Sequence, residues 1–358
     1  MARTGHNLRT SYLESNEVLR RPYQKILVLL ILLLALFLPV GSSKFFIHLL
    51  NLCFLAAIGA LGLMILTGYC GQISLGHAAF LAIGAYTTAI LTIHLEAPFI
   101  VVLPAAAISG AIMGFVVGLP SLRFRGIYLA ISTLAMHYAI IFLATTYQSN
   151  FTRSASAGLT ISDPSIGPFA LKGEVNWYYF LLIFLTLVTL ACVNWMRTRP
   201  GRAWMAIRDR DIAAEALGIN LARYKLLAFV VSSTLASISG SLMAYYSNVV
   251  TVEAFTLDLA VVYIAMIIVG GMGSILGALM GAAFITLLPY GIDAVFEFLP
   301  RPWRFGSTVF GVQVGAVGLF IILFLLFEPK GLAELWRRVE TYFERWPFRY
   351  RPLETVRR

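Results

Sequence analysis

The sequence predicts an all-α integral membrane protein with about ten transmembrane helices, and three observations carry that prediction. First, 59% of the 358 residues are hydrophobic and 12% are charged, about half the charged share of an average soluble domain. A soluble fold would lack the polar surface needed to cover itself. Second, several long runs contain no Asp, Glu, Lys or Arg and come close to the roughly 20 residues that span a bilayer as a helix; they are 26–40, 45–66, 99–119, 178–193 and 309–327. Third, the basic residues collect in the segments between these runs.

The apolar segments define ten candidate spans in order along the chain. They cover about 26–42, 45–66, 72–94, 98–119, 126–147, 177–196, 226–247, 258–270, 274–290 and 308–327. The eighth and ninth are short and are separated by a glycine-rich turn at 270–273. They are therefore either two crossings or two half-helices that re-enter the membrane. This division predicts a transmembrane domain over 26–327, flanked by an N-terminal segment 1–25 and a basic C-terminal tail 328–358.

The distribution of Lys and Arg predicts the orientation of the spans. If the N-terminus lies in the cytoplasm and the spans alternate, the cytoplasmic segments hold 22 of the 27 basic residues; these segments are 1–25, 67–71, 120–125, 197–225, 271–273 and 328–358. This bias follows the positive-inside rule. It places both termini in the cytoplasm of a bacterial inner (plasma) membrane, with the loop 197–225 inside and the loop 148–176 outside. The net charge of +10 therefore reflects topology and contact with membrane lipid, and does not indicate nucleic acid.

The acidic residues also lie in loops or at span ends, so the sequence places no full charge deep in the bilayer. An ion-driven carrier usually keeps an ionisable residue there, so uphill transport by this chain would need energy from another subunit. The chain has no phosphate-binding loop, no metal-ligand spacing and no nucleophile elbow, which argues against an enzyme, a bound cofactor or a metal site. We interpret Cys53, Cys70 and Cys192 as reduced, packed thiols.

The segment Gly68–Phe80 concentrates glycine, small residues and polar side chains between two spans. Glycine weakens regular helix and allows close backbone approach. Gln72, Ser74 and His77 are polar groups at or in the membrane. Together with Gly76 they form a candidate substrate pathway, helped by the unsatisfied N–H groups of a helix start. The alternative is that each of these side chains bonds a neighbouring helix.

Two glycine turns resemble each other. Gly71–Gly76 reads Gly-Gln-Ile-Ser-Leu-Gly, and Gly273–Gly277 reads Gly-Ser-Ile-Leu-Gly, one residue shorter. Each precedes a segment rich in small residues, one in each half of the chain. The likeness predicts pseudo-repeated halves with broken helices at a substrate path, or it is a chance likeness of two short turns.

The largest segment predicted to be cytoplasmic, 197–225, carries a short helical pattern. Met205, Ile212 and Ala216 can share an apolar face while the charged residues lie elsewhere. Gly218 is well placed to end this helix. A short amphipathic helix between two spans either lies on lipid or inserts into a groove on a partner protein.

The Gly68–Phe80 segment resembles the signature of LivM-type permeases of branched-chain amino acid ABC importers, which runs Gly-Tyr-x-Gly-Gln-x-Ser-Leu-Gly-His-Ala-Ala-Phe. The similarity extends over most of the chain and includes 199–229, 269–283 and 327–332. It implies alternating access in a complex with a second homologous permease subunit, two cytoplasmic ATP-binding subunits that hold the ATP, and a periplasmic solute-binding protein. The implied cargo is Leu, Ile or Val.

The resemblance also favours the partner-docking interpretation of the 197–225 loop. This loop is similar to the Glu-Ala-Ala-x-x-x-Gly loop by which ABC permeases contact their ATPases, although only a degenerate form is present at Glu215–Gly218. The implied docking residues are Arg208, Asp211, Glu215, Ala216 and Gly218.

Cargo and energy source leave alternatives open. The stretch 153–159 lacks the paired glycines of the Thr-Gly-Gly-x-x-Gly-Leu sequence that the family commonly carries there. Urea, a short amide or another amino acid is therefore an alternative cargo. An energy-independent channel or facilitator would tolerate deletion of 202–217, and a non-transporting scaffold would tolerate loss of the Gly68–Gly84 segment.

Overall fold

The computed structural model describes residues 33–124, 126–152, 158–166, 169–297 and 331–345, with isolated positions at 30 and between 315 and 328. The helices are α1 (Lys44–Leu63, continued by a π-helical turn over Met64–Tyr69), α2 (His77–Leu95), α3 (Phe99–Ser121), α4 (Ile127–Thr152), α5 (Glu174–Arg197), α6 (Arg199–Asp209), α7 (Asp211–Ala216), α8 (Leu221–Ser247), α9 (Leu257–Gly270), α10 (Ile275–Glu297) and α11 (Leu332–Arg345). The strands are β1 (Leu159–Thr160), β2 (Ser165–Ile166), β3 (Phe169–Ala170) and β4 (Val249–Val250).

Eight segments of the described chain are long and apolar enough to cross a membrane as helices. They are α1 with its π turn, α2 to α5, α8, the stretch Val252–Gly270 that contains α9, and α10. They correspond to the second through ninth predicted spans, so the all-helical membrane fold is confirmed. Of the first predicted span, 26–42, the structure describes residue 30 and residues 33–42, whereas most of the last span, 308–327, lies outside the described residues. Within the eight, every Asp, Glu, Lys and Arg lies near a helix end.

Helix α8 lies at the centre of the bundle and packs against α1, α2 and α3. Ser237 Oγ donates to Ala106 O of α3 at 2.7 Å. Ser239 Oγ donates to Leu55 O of α1 at 2.8 Å. Glycine permits this close approach, because a Cβ on Gly84 of α2 would overlap the carbonyl oxygen of Ser237. The serine-rich face of α8 therefore joins helices to one another.

The connections gather at the two ends of the bundle. One end, which we call the α6–α7 end, also carries the two glycine turns. The opposite end carries the 148–176 segment, where β1 pairs with β4 and β2 pairs with β3. There Gln148 Oε1 accepts from Tyr86 Oη (2.5 Å) and from Val252 N (3.2 Å). These bonds tie α2, α4 and the start of the seventh described span together.

The segment 252–297 crosses the bundle twice. Val252 bonds Gln148 at the opposite end, whereas Gly273 lies beside Gly68 at the α6–α7 end. On the return, Tyr290 packs edge-on against Phe45 near the start of α1. The half-helix alternative for 258–290 is therefore wrong. Glycines let α9 and α10 approach closely; they are Gly270, Gly277 and Gly281.

Candidate functional site

Non-helical chain re-enters the bundle between α1 and α2. Helix α1 ends in the π turn, and α2 begins only at His77. The predicted span 72–94 is therefore wrong at its start. The His77 Nε2 atom lies 3.0 Å from Gly59 O, ten positions before Tyr69 at the end of the π turn. Because a helix rises 1.5 Å per residue, His77 lies roughly 15 Å inside the bundle. We call 70–76 the re-entrant segment.

The backbone of the re-entrant segment bonds to groups outside a regular helix. Gln72 N donates to Leu66 O (3.0 Å), and Thr67 Oγ1 donates to Gln72 O (2.9 Å). Leu75 N donates to Thr133 Oγ1 of α4 (3.0 Å). Non-helical backbone at membrane depth is tolerated only where protein buries it or where it lines a wet cavity. These partners allow the segment to enter the bundle.

The predicted pathway residues divide into those that fix the backbone and those that keep free polar atoms. The side chains of Gln72, Ser74 and His77 are all buried. Ser74 Oγ accepts from Gly76 N (3.3 Å), and a Cβ on Gly76 would lie 2.7 Å from a backbone oxygen of α4. The His77 ring packs against Tyr263 with 5.1 Å between centroids. Ser74 and Gly76 therefore hold the segment in place.

Two buried atoms of this region have no hydrogen-bond partner in the described structure: Gln72 Oε1 and His77 Nδ1. A buried polar atom left unpaired costs about 1–3 kcal/mol. Both atoms are neutral, and they lie at the two ends of the stretch from Gln72 to the first residue of α2. Gln72 Oε1 can accept a hydrogen bond from a polar group of a small solute. Because Gly59 O can only accept, Nε2 of the neutral His77 ring carries the proton, and Nδ1 is then an acceptor as well.

The segment predicted as one amphipathic helix is two helices. The backbone is extended at Arg210 (φ −159°, ψ 106°), so α6 ends there and α7 begins at Asp211. Helix α7 ends at Gly218, as predicted, with a left-handed φ of 83°. Ile219 N donates to Ala214 O, and Gly218 N donates to Glu215 O. These two bonds make a Schellman motif.

The break at Arg210 changes which side chains share a face. The predicted apolar face of Met205, Ile212 and Ala216 does not form. Ile212 is 73% exposed, and Ala216 is exposed as well. Trp204 and Ile207 of α6 are buried instead. The apolar side of α6 therefore packs on the bundle, whereas Ile212 points an apolar side chain away from it.

A groove of about 650 Å³ separates the α6–α7 pair from the start of the re-entrant segment. Arg208, Asp211 and Ala216 line it together with Gln72 and Lys225. Lys225 Nζ lies 3.5 Å from Asp211 Oδ2. The structure thus brings three predicted docking residues and one predicted pathway residue to one opening.

The remaining predicted residues lie elsewhere. Glu215 and Gly218 line a separate groove of about 490 Å³. Ser74, Gly76 and His77 are not among the lining residues of either groove. The two predicted sets are therefore neighbours along a path from the α6–α7 end inward, and meet at Gln72.

Cys70 lines the first groove but is itself buried. Burial raises the pKa of its thiol to about 12, and the positive charge of Lys225 opposes that shift more weakly. The thiol is therefore neutral at physiological pH and a poor nucleophile. Cys53, Cys70 and Cys192 are all free and buried, as the sequence predicts.

A polar cluster at the opposite end is absent from the sequence-based predictions. Tyr246 Oη donates to Glu174 Oε2 (2.5 Å), and His48 Nδ1 lies 2.6 Å from Tyr246 Oη. Buried Asn51 donates to the same carboxylate oxygen at 3.0 Å. The cluster joins α1, α5 and α8. The signal that points to it is an amide at Asn51 inside the otherwise apolar run 45–66.

Comparison with known proteins relates this arrangement to transport. The sequence profile described as "Branched-chain amino acid transport system / permease component" matches residues 45–326. The high-affinity branched-chain amino acid permease LivM of Escherichia coli K12 is 30% identical over 338 residues, covering 88% of this chain and 76% of the relative. A probable LivM of Methanocaldococcus jannaschii is 27% identical over 64% of this chain and 68% of its own. The autoinducer 2 import permease LsrC of Salmonella paratyphi B is 24% identical over 61% and 62%. No solved structure matches the chain significantly.

Proposed function

Because the chain belongs to the family of branched-chain amino acid transport permeases, we propose that it is the membrane subunit through which an ABC importer moves Leu, Ile or Val. The family is one of multi-pass membrane permeases of ABC importers and not of enzymes. The observation that carries the proposal is the re-entrant segment. Its non-helical backbone runs from the α6–α7 end into the bundle, and Gln72 Oε1 and His77 Nδ1 keep unused hydrogen-bonding capacity there.

The chemistry of this region suits a zwitterion with an apolar side chain. The unpaired atoms of Gln72 and His77 are neutral, and charged residues in the eight described spans keep to their ends. A lining without charged groups favours neither an anionic nor a cationic cargo. The E. coli relative is named for branched-chain amino acids, which supports the same cargo for this chain.

The energy source in this proposal is a pair of cytoplasmic ATP-binding subunits that dock on α6 and α7. Ile212 and Leu217, 73% and 82% exposed, offer apolar contacts at the outer surface of α7. The complex also contains a second homologous permease subunit and a periplasmic solute-binding protein. The α6–α7 end faces the cytoplasm of a bacterial inner membrane, as do both termini, because the positive-inside rule puts 22 of 27 basic residues on that side. The permease domain is 26–327, and 1–25 and 328–358 are cytoplasmic flanks.

Uptake by the reconstituted complex tests the proposal directly. Liposomes would hold the permease pair with or without its ATPases, and would be given the binding protein with labelled leucine or labelled urea. We expect accumulation of leucine that requires the ATPases and ATP. Accumulation of urea in place of leucine would assign the other cargo class. Accumulation driven by an ion gradient without the ATPases would contradict the proposal.

Charge reversal on α7 tests the docking surface. The double substitution Glu215→Lys with Gly218→Arg adds bulk and positive charge, and also removes the glycine from a left-handed position (φ 83°). We expect ATP-dependent uptake to fall at least tenfold and the ATPases to stop co-purifying with the permease. The matched control is Glu334→Lys, the same charge reversal on α11 outside the loop. Unchanged uptake in the double variant would count against docking at this loop.

A further inference from the structure

The two glycine turns, each taken here with the glycines just before it (68–71 at the end of α1 and 270–273 before α10), touch each other. A Cβ on Gly68 would lie 3.0 Å from Gly273 N. Gly273 N donates to Met64 Sδ at 3.2 Å. The π turn of α1 and the start of α10 are thus held together at the α6–α7 end.

The side chain of Arg208 fills the space beside these turns. Its Nη1 donates to Gly68 O at 2.8 Å. A side chain on Gly273 would collide with the same nitrogen, and a Cβ on Gly71 would lie 3.1 Å from Arg208 Cγ. Gly71 and Gly273 also have left-handed φ values of 73° and 83°, which glycine adopts without strain. The glycines therefore leave a slot for one arginine.

The bond from Arg208 to Gly68 is favourable and reversible. Gly68 lies in the last turn of α1, where carbonyl groups lose their intrahelical donors. A cation there also interacts well with the helix dipole, and a charged donor strengthens the hydrogen bond. The Arg208 side chain is 37% exposed, so water can replace the bond when the helices separate.

Arg208 lies on the same helix as Trp204, which anchors α6 to the bundle. Trp204, one turn earlier on α6, is fully buried and donates Nε1 to Tyr224 O at 2.8 Å. It also stacks on Trp195 with 6.3 Å between centroids. A displacement of α6 therefore carries Trp204 and Arg208 together. A force on exposed Ile212 of α7 reaches the bundle through this helix, and also through the Asp211–Lys225 pair and the turn into α8.

We propose that Arg208 is the positioning residue that transmits movement of the α6–α7 pair to both glycine turns. The inference rests on the proposed function, since the partner ATPases supply the movement. When α6 moves away from the bundle, the Arg208–Gly68 bond breaks and frees the start of the re-entrant segment together with the turn before α10. When α6 returns, the bond fixes both again.

The complete complex in liposomes tests coupling. The measurements are solute uptake per ATP hydrolysed and the stimulation of hydrolysis by the binding protein. We expect Arg208→Ala to lower uptake per ATP at least tenfold, while the ATPases still co-purify. The ratio of ATP hydrolysis with the binding protein to hydrolysis without it should fall close to one. Arg208→Lys keeps the positive charge and a donor nitrogen, so it should retain part of the uptake per ATP and part of the stimulation.

Gly273→Ala displaces the guanidinium from outside the loop and should lower uptake per ATP and stimulation as Arg208→Ala does. Gly173→Ala also places alanine at a left-handed φ (84°) but meets nothing within 4 Å, and Gly173 lines neither groove, so this variant stays within two-fold of wild type.

A second measurement depends on neither cargo nor ATPase. In a chain carrying Cys53→Ala and Cys192→Ala, a maleimide reports the accessibility of Cys70. We expect labelling at least tenfold faster in Arg208→Ala and Gly273→Ala than in the parent, and unchanged in the alanine control. Unchanged labelling in both variants overturns the inference. So does normal coupling in Gly273→Ala, because Arg208 would then act only as an ATPase contact. A wild-type complex without ATP-dependent uptake contradicts the proposed function instead.

Discussion

The two glycine turns have similar sequences and different backbones. After Gly71 the chain stays non-helical as far as Gly76 and enters the bundle. After Gly273 it forms α10 within two residues, starting at Ile275. Both turns contain a glycine with left-handed φ, and they touch each other beside Arg208. Glycine content therefore explains the turns, but not the re-entrant segment that follows one of them.

The difference comes from the polar partners within reach. In the second turn, Ser274 Oγ accepts from Gly277 N at 3.1 Å, which satisfies the helix start locally. In the first turn, Thr67 and Thr133 supply the partners, and Thr133 lies on another helix. A segment whose backbone is satisfied from outside can remain extended inside a membrane protein. A hydroxyl 58 residues away thus helps to hold the chain just before α2 in its non-helical conformation.

The largest expected difference between the turns is in thiol reactivity. In a chain without Cys53 and Cys192, Cys70 of the first turn is compared with a Met272→Cys variant in the second, where the native side chain is 59% exposed. With a pKa of about 12, Cys70 at pH 8 is about 10⁻⁴ ionised, whereas an ordinary exposed thiol is about a quarter ionised. We expect maleimide to label Cys70 about a thousand-fold more slowly.

The raised pKa of Cys70 also predicts how its rate of maleimide labelling depends on pH. Because its pKa is raised, labelling of Cys70 should keep rising about tenfold per pH unit between pH 7 and pH 9.5. Labelling of the exposed thiol should level off once the pH passes its pKa of about 8.5. Equal rates, or a plateau for Cys70, would show that the first turn is as open as the second.

A smaller effect tests the hydroxyl that holds the re-entrant segment. Thr133→Val keeps the shape of the side chain but leaves Leu75 N without its acceptor, which costs about 1–3 kcal/mol. We expect a lower free energy of unfolding in detergent, and lower ATP-dependent uptake. The matched control is Thr145→Val on the same helix, whose hydroxyl bonds Ile141 O one turn earlier. Equal losses in the two variants would mean that Leu75 gains nothing from Thr133.

Hydropathy and local spacing predict the parts of the fold that depend on nearby residues. The spans follow from uncharged runs, and Gly218 follows from its place after Glu215 at the end of a helical pattern. The Arg and Asp residues around Arg210 also fit a continuous helix, so the break there is invisible in the sequence. Burial of Trp204 and Ile207 sets α6 against the bundle, and no local spacing encodes that tertiary packing.

The candidate site is predictable as a segment but not as a geometry. The Gly68–Phe80 motif identifies Gln72 and His77, yet the unpaired state of their polar atoms depends on helices far along the chain. The contact of Arg208 with Gly68 joins positions 140 residues apart. No spacing rule relates such positions, so Arg208 is foreseen only as a surface contact.

The smallest expected effect decides whether the two turns differ in function as well as in shape. Gln72→Leu removes a buried oxygen that has no partner among the described residues, so we expect an unchanged or higher free energy of unfolding. If that oxygen accepts from the ammonium of the cargo, the KM for leucine uptake rises about tenfold, equivalent to about 1.4 kcal/mol. Ser274→Ala in the second turn should lower the free energy of unfolding, because it removes a helix cap worth about 1 kcal/mol. It should leave the KM for leucine uptake unchanged. A destabilised Gln72→Leu variant with a normal KM would make Gln72 a packing residue, and both turns would then be purely structural.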